Sequence, residues 1–138
     1  MRYEQSPELT DKAREIAKSL GFTHIPPERI LCIRSSGTKT RGVIARIHGL
    51  GKVMQLGMGC QPFYVIELIS ERFDKQSQED QAKTLIHELL HIPHGFGGGF
   101  RHHAPYVNKN TVEEAYRKLG LAAGSAIPAQ PVFRIFRR

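Results

Sequence analysis

Residues 84–93, with the sequence TLIHELLHIP, contain two histidines four positions apart, His87 and His91. On an α-helix, residues at this spacing lie above one another on one face, so both imidazoles can reach the same point. The spacing suits two ligands of a tetrahedral zinc ion. Glu88 is rotated by about 100° from His87, which makes it a poor third ligand but lets its carboxylate reach a water on the metal. The pattern therefore predicts two metal ligands and one general base.

The flanking residues predict that this run lies near the end of an amphipathic helix. Apolar side chains recur at the spacing of one helical face: Ala82, Leu85, Ile86, Leu89 and Leu90. Ser77 followed by Asp80 is typical of a helix start, and Pro93 ends the helix because the residue before a proline avoids the α region. The competing interpretation, two ordinary partly buried histidines, accounts less well for this periodicity and for the histidine-rich segment that follows.

Length and composition favour a single globular domain. The chain has 138 residues, of which 40% are hydrophobic, enough for an ordinary core. No apolar run approaches the roughly 20 residues that span a bilayer, and residues 1–5 lack the apolar stretch of a signal peptide, so we expect a cytoplasmic protein with no membrane partner. We expect one domain over residues 1–125 and a basic tail over residues 126–138. Cys32 and Cys60 form no disulfide framework or zinc motif. Buried thiols are the default expectation for both, and a metal ligand or regulatory thiol is the alternative for Cys60.

The remaining pattern predicts an α+β fold. A first helix is expected over Pro7–Leu20, with Ser6 as its cap and Gly21 just past its end. Four strand-like stretches follow, separated by glycine-rich turns, and a last helix is expected after Asn110, ending at Gly120. The predicted strands are Arg29–Ser35, Gly42–His48, Val53–Gly57, Phe63–Ser70 and, near the end of the chain, a possible strand at Val132–Arg138.

A third ligand has to come from outside the helix, and the residues alone leave the choice open. A catalytic zinc usually has three protein ligands and one position for water. His94 lies just past the Pro93 bend and has to turn away from the pair. His102 and His103 follow a loop rich in glycine that is long enough to return to the metal, and only one of two neighbours is expected to bind. A glutamate from the last helix, Glu113 or Glu114, is a further alternative.

The run His87–Pro93, followed by Phe96-x-Gly-Gly-x-Arg-x-His103, resembles a metallopeptidase family found in archaea and phages and related in style to the SprT-like zincins. Pro27–Arg41 and Tyr64–Glu67 also look similar, so the resemblance covers most of residues 20–110. It implies that His103 is the third ligand. It also implies a small zincin-like domain with an N-terminal helix, a mainly antiparallel twisted sheet, the metal helix and a C-terminal helix. A peptide substrate would lie antiparallel to an edge strand, for which we expect Val53–Gly57.

The leading functional hypothesis is a zinc-dependent peptidase in which zinc and Glu88 activate water. Arg101 and Tyr106 are candidates for stabilising the oxyanion, although packing or a surface salt bridge is the favoured interpretation of each. The alternatives are a nucleic-acid-binding module with a structural zinc and a zinc-dependent nuclease or amidase.

Nucleic acid is a possible partner because the net charge is +7 and no acidic residue lies between Arg29 and Ile66. Such a stretch can form a surface that attracts phosphates, or simply a solvated face. SprT-like zincins are associated with DNA-bound proteins, so the resemblance also implies a possible action on nucleic-acid-associated proteins. The basic residues of this stretch are Arg29, Arg34, Lys39, Arg41, Arg46 and Lys52.

Overall fold

The computed structural model describes residues 1–124, so the possible strand at 132–138 and the basic tail lie outside the described residues. The chain begins with strand β1 (Arg2–Gln5) and helix α1 (Pro7–Ser19). The side chain of Ser6 accepts a hydrogen bond from the Leu9 amide at 3.2 Å and caps α1. Gly21 follows with φ of +72°, a conformation that favours glycine. The helix predicted for this region is therefore confirmed.

The sheet has four strands in the order β1-β2-β4-β3, with β2 at Ile30–Ser36, β3 at Ala45–Gly49 and β4 at Tyr64–Ile69. The pairs β1–β2 and β3–β4 are antiparallel, whereas the central pair β2–β4 is parallel. The predicted α+β class is confirmed, with a mixed sheet in which antiparallel pairs predominate. Strand β4 is central, as its apolar sequence predicts.

The predicted strand Val53–Gly57 is wrong, because these residues belong to helix α2 (Lys52–Met58). Apolar residues between glycine-rich turns favour a strand, but Gln55 is the buried residue and its apolar neighbours are exposed. Val53–Gly57 therefore provides no strand edge for a peptide. In the described part of the chain, β3 pairs only with β4 and its other edge has no strand partner. Strand β1, which the sequence analysis missed, is exposed along its length and pairs with β2.

The remaining helices follow β4. They are α3 (Ser70–Phe73), α4 (Gln78–Leu90), α5 (His103–Tyr106) and α6 (Lys109–Gly124), and a 3-10 turn at Pro27–Arg29 precedes β2. Ser77 caps α4 by accepting a hydrogen bond from the Asp80 amide at 3.1 Å, as predicted. Helix α6 begins earlier than predicted, since Asn108 and Thr111, rather than Asn110, form its reciprocal cap at 3.0 Å. It also continues past Gly120.

Helices α1 and α4 pack against the sheet, and α6 packs against both of these helices. Most of the apolar face of α4 is buried, with Leu85 and Ile86 at 0% exposure, and Leu90 at its end is partly buried. The last turn of α4 comes close to β3, which brings the predicted metal ligands to the edge of the sheet. No helix in residues 1–124 combines the length and apolar character needed to cross a membrane.

The two cysteines differ in environment. Cys32 is buried, and burial raises its pKa to about 12. Cys60 is exposed, so the prediction of a buried thiol is wrong there. It follows α2 and Gly59, in a turn that the core does not cover.

Candidate metal centre

Three histidines converge at the edge of the sheet. His87 and His91 come from the end of α4, and His103 begins α5. One ring nitrogen from each lies within 4.8 Å of the others, and this is the group of potential metal ligands found among residues 1–124. The ring centroids are 5.1 Å apart for the α4 pair and 5.6 and 4.7 Å apart for the pairs with His103. The cluster could hold a metal ion.

A glycine-rich loop carries the chain from α4 back to this cluster. Gly98 has a φ of +104°, and a Cβ there would lie 2.3 Å from the Leu50 carbonyl oxygen, so no larger residue fits. The Tyr64 hydroxyl accepts a hydrogen bond from the Gly98 amide at 2.9 Å and donates one to the Gly99 carbonyl at 2.7 Å. Gln55 Nε2 donates to the Gly97 carbonyl at 2.8 Å. These contacts fix the path of the chain toward His103.

The Arg101 backbone orients the imidazole of His91. The Arg101 carbonyl lies 2.9 Å from His91 Nδ1, and the Arg101 amide donates to the His91 carbonyl at 2.8 Å. A carbonyl oxygen can only accept, so Nδ1 must carry the proton and Nε2 presents its lone pair. Metal-bound histidines commonly have such a second hydrogen bond, which fixes the tautomer and the ring orientation.

Burial favours the neutral form of both α4 imidazoles. Burial, aided by the neighbouring His91 and His103, lowers the pKa of His87 to about 4. Burial also lowers the pKa of His91, although the Arg101 carbonyl opposes the shift. Neutral imidazole is the form that binds a metal. Glu88 is 7% exposed, and its burial raises the carboxyl pKa to about 7.

The donor set fits zinc. Imidazole nitrogens are common zinc ligands, and the cluster offers one from each of three histidines. A tetrahedral zinc with bonds of about 2.1 Å requires nitrogens roughly 3.4 Å apart. The three nitrogens lie within 4.8 Å of one another, so small ring movements bring them to that spacing.

The other sequence candidates are engaged elsewhere. His94 stacks on His24, with ring centroids 4.3 Å apart, and His102 is exposed at the start of α5. Glu113 pairs with Lys83 at 2.7 Å, and Glu114 pairs with Lys118 at 3.4 Å. None of these side chains belongs to the ligand cluster found in the described residues.

Arg101 and Tyr106, the candidates for stabilising an oxyanion, contact each other. The guanidinium carbon of Arg101 lies 4.1 Å from the centre of the Tyr106 ring. The stacking supports the packing interpretation for Tyr106, while Arg101 also lines a pocket beside the histidines.

A groove runs past the histidines along β3. Its larger part, about 670 Å³, lies toward α6 and has an apolar floor that includes Val43, Val107 and Val112. A smaller part, about 400 Å³, extends toward Ile47 and Phe100. His87, Glu88 and His103 line both parts, so the cluster lies where the two meet.

The basic residues of the 29–52 stretch do not form one continuous surface. Arg34 pairs with Asp74 at 2.7 Å, and Arg46 pairs with Glu67 at 3.2 Å. Strand register places these two arginines on opposite faces of the sheet, because Arg34 lies beside Leu68 and Arg46 beside Glu67. The pattern of charges in the sequence did not reveal this separation.

Sequence reasoning missed Tyr64 and Gln55 as supports of the site. Tyr64 is 0% exposed and holds the glycine-rich loop through its hydroxyl. A tyrosine in an otherwise apolar strand is a weak signal for such a role, since a buried hydroxyl usually needs a partner. Nothing near Gln55 in the sequence indicates its hydrogen bond to Gly97.

Fold and site together define a small zincin-like α+β protein with a histidine cluster that could bind a metal, set in an open groove. The family described as "Putative phage metallopeptidase" matches residues 1–119, and the chain belongs to this family. No curated protein and no solved structure gives a significant match.

Proposed function

We propose that this protein is a zinc-dependent peptidase of the His-Glu-x-x-His type, with His87, His91 and His103 as ligands and Glu88 as general base. The convergence of the three imidazoles beside a buried carboxylate carries the proposal. Membership of a metallopeptidase family supports a peptide or protein as the substrate.

Each residue has a distinct task in the proposed reaction. Zinc, when bound, supplies Lewis-acid polarisation of a carbonyl and lowers the pKa of water to about 7. Glu88 removes a proton from the attacking water and then delivers it to the leaving amine. The hydrogen bond from His91 to the Arg101 carbonyl keeps Nε2 directed to the centre. The walls of the groove hold the substrate in place.

We propose that the peptide lies antiparallel to β3, whose outer edge has no strand partner within residues 1–124. An extended peptide there would gain backbone hydrogen bonds, as in other cases of strand addition. Ala45 lines both parts of the groove, so β3 runs directly beside the histidine cluster. Because β3 runs from Ala45 to Gly49, the N-terminal part of the peptide would lie near Gly49.

Glu88→Gln tests the general base. We expect the variant to fold and to bind one zinc, because no ligand is removed. Turnover should fall by about 10²- to 10⁴-fold, the usual contribution of general acid–base catalysis. Metal analysis and peptide hydrolysis measure the two effects. Turnover close to that of the unmodified protein would exclude Glu88 as the base.

A substrate panel separates the peptidase from the alternatives that share this site. Zinc-loaded protein is incubated with casein, single-stranded DNA, RNA and small amides, each with and without chelator. We expect chelator-sensitive cleavage of casein alone. Cleavage of nucleic acid instead would indicate that the same residues serve a nuclease, and cleavage of small amides would indicate an amidase.

A further inference from the structure

Helix α2 has the reverse of the usual amphipathic arrangement. Its one polar uncharged side chain, Gln55, is 7% exposed, whereas four apolar side chains point to solvent. A surface helix normally buries its apolar face. The exposed residues, here called the α2 apolar surface, are Val53 at 82%, Met54 at 53%, Leu56 at 76% and Met58 at 62%.

A polar clamp holds α2 in this orientation. Gln55 Nε2 donates to the Leu50 carbonyl at 2.6 Å and to the Gly97 carbonyl at 2.8 Å. Rolling the helix to bury its apolar residues would break both hydrogen bonds and expose Gln55, which is 7% exposed in the structure. The apolar surface is therefore a fixed feature of the fold, and contiguous exposed apolar residues commonly mark interaction sites.

The α2 apolar surface lies just beyond the Gly49 end of β3, the strand that lines the groove. Helix α2 follows β3 after a two-residue turn. Phe100, which is 46% exposed, contacts the same end of β3, since a Cβ on Gly49 would lie 3.0 Å from its ring. Phe100 also lines the smaller part of the groove with His87 and Glu88. A chain that leaves the groove past Gly49 therefore meets Phe100 and then α2.

We propose that the α2 apolar surface is an exosite for an apolar stretch of the polypeptide substrate, on the N-terminal side of the bond that is cut. This proposal rests on the proposed peptidase function. A peptide antiparallel to β3 has its N-terminal part at the Gly49 end, and β3 covers roughly 17 Å. The bound stretch should thus begin about four to eight residues before the cleaved bond. Two methionines suit a surface that accepts varied apolar side chains.

The size and charge of α2 favour a substrate segment as the bound partner over a second copy of the chain or a membrane. A seven-residue helix is about 10 Å long, and four side chains fall short of the roughly 800 Å² per partner of a stable dimer. Amphipathic helices that bind membranes carry several basic residues on their polar face, whereas α2 contains one, Lys52. A short additional contact for a substrate already held in the groove needs neither feature.

Peptides of matched length test the proposal. The starting point is a hexapeptide that contains a casein bond cut by the zinc-loaded protein. This hexapeptide is extended either by eight residues of Leu, Val and Ser or by eight residues of Gly and Ser. Each extension is placed at the N-terminus or at the C-terminus. We expect only the apolar N-terminal extension to lower KM, by about tenfold, because it buries apolar area on α2.

Val53→Ser with Leu56→Ser should abolish this gain and leave the hexapeptide constants unchanged. The matched control is Leu121→Ser, which alters a similarly exposed residue (65%) on α6 and should keep the gain. Binding of the apolar peptide to zinc-loaded Glu88→Gln protein, measured by fluorescence anisotropy, should show the same pattern without turnover.

Several results would overturn the exosite. One is an equal decrease in KM from the Gly-Ser extension or from the C-terminal extension. Another is a decrease in KM that is as large in the double variant as in the wild type. If the wild-type protein forms a dimer and the double variant does not, the surface serves self-association instead. If the double variant loses binding to phosphatidylglycerol vesicles but keeps the lower KM for the apolar peptide, the surface is a membrane site. A wild type that cuts no peptide would overturn the peptidase proposal and the exosite with it.

Discussion

At the scale of single residues, the third ligand is chosen between two adjacent exposed histidines, of which His103 belongs to the cluster found among residues 1–124. The ring of His103 lies 4.7 Å from that of His91, while His102 is exposed outside the cluster. We expect His103→Ala to lose most of its zinc, because two imidazoles are a weak site. His102→Ala, the matched control, should retain one zinc per chain. Metal analysis after dialysis checks both, and the reverse result would make His102 the ligand.

Glu67 gives the fold a dependence on pH that is independent of the metal centre. The carboxylate is 3% exposed and accepts hydrogen bonds from Ser35 at 2.6 Å and from Arg46 at 3.2 Å, with His48 at 2.8 Å. Burial alone would raise the pKa of Glu67, but the bonds from Ser35 and His48 and the charge of Arg46 outweigh it, and the pKa is lowered.

We therefore expect Glu67→Gln to lose about 1–3 kcal/mol of stability at pH 7. A carboxyl with a lowered pKa stabilises the fold above its unfolded value of about 4.3, and this stability disappears as the pH falls through the folded value. The difference from the unmodified protein should thus shrink below about pH 4.3. Urea unfolding at several pH values measures it. Glu114→Gln, an exposed control, should change stability by less than about 0.5 kcal/mol. A difference that does not vary with pH would exclude this role for Glu67.

At the scale of elements, predictions succeeded where the signal is local. Ser6 and Ser77 cap α1 and α4 through neighbouring amides, and the apolar periodicity of α4 lies within one helix. Helix α2 was misassigned because its state depends on the bond from Gln55 to Gly97, a residue 42 positions away. The path of the loop to His103 likewise depends on the close approach of Gly98 to Leu50. Sequence periodicity carries no information about such distant contacts.

Gly98 is the residue of this loop that we expect to be most sensitive. In Gly98→Ala, the new methyl group would lie 2.3 Å from the Leu50 oxygen and 2.8 Å from Gln55 Nε2, at a φ of +104°. The strain should cost about 1–3 kcal/mol, and the displaced loop should weaken zinc binding through Arg101 and His103. Thermal unfolding and zinc titration measure the two effects.

Gly97→Ala is the matched control for this loop, because a Cβ at Gly97 meets nothing within 4 Å. We expect its stability to stay within about 0.5 kcal/mol of the original and its zinc affinity to be unchanged. If the two variants behave alike, the close approach at Gly98 does not govern the position of His103.

At the scale of the whole molecule, strand directions separate the basic residues that are adjacent in sequence. Because β3 runs antiparallel to β4 and β2 runs parallel to it, Arg29 and Lys52 lie at one end of the sheet. Lys39 and Arg41 lie at the other end, where Arg72 donates hydrogen bonds to the Thr40 and Val43 carbonyls. Gly42, next to Arg41, lines the groove together with Lys109. Any phosphate bound by Lys39 and Arg41 would therefore lie beside the groove.

If nucleic acid binds there, two or three phosphate contacts should make the affinity moderately dependent on salt. Each contact adds about 0.9 to the slope of log K against log salt for duplex DNA, which corresponds to a loss of roughly tenfold to fortyfold between 50 and 200 mM. Lys39→Ala with Arg41→Ala should remove most of this slope and leave zinc content unchanged. Arg29→Ala with Lys52→Ala, at the opposite end, should keep it. If both double variants reduce the salt slope equally, a local site at the Lys39 end is excluded. If the protein shows no salt-dependent binding of DNA or RNA at 50 mM salt, these residues form only a solvated face, and nucleic acid is not a recruiting partner.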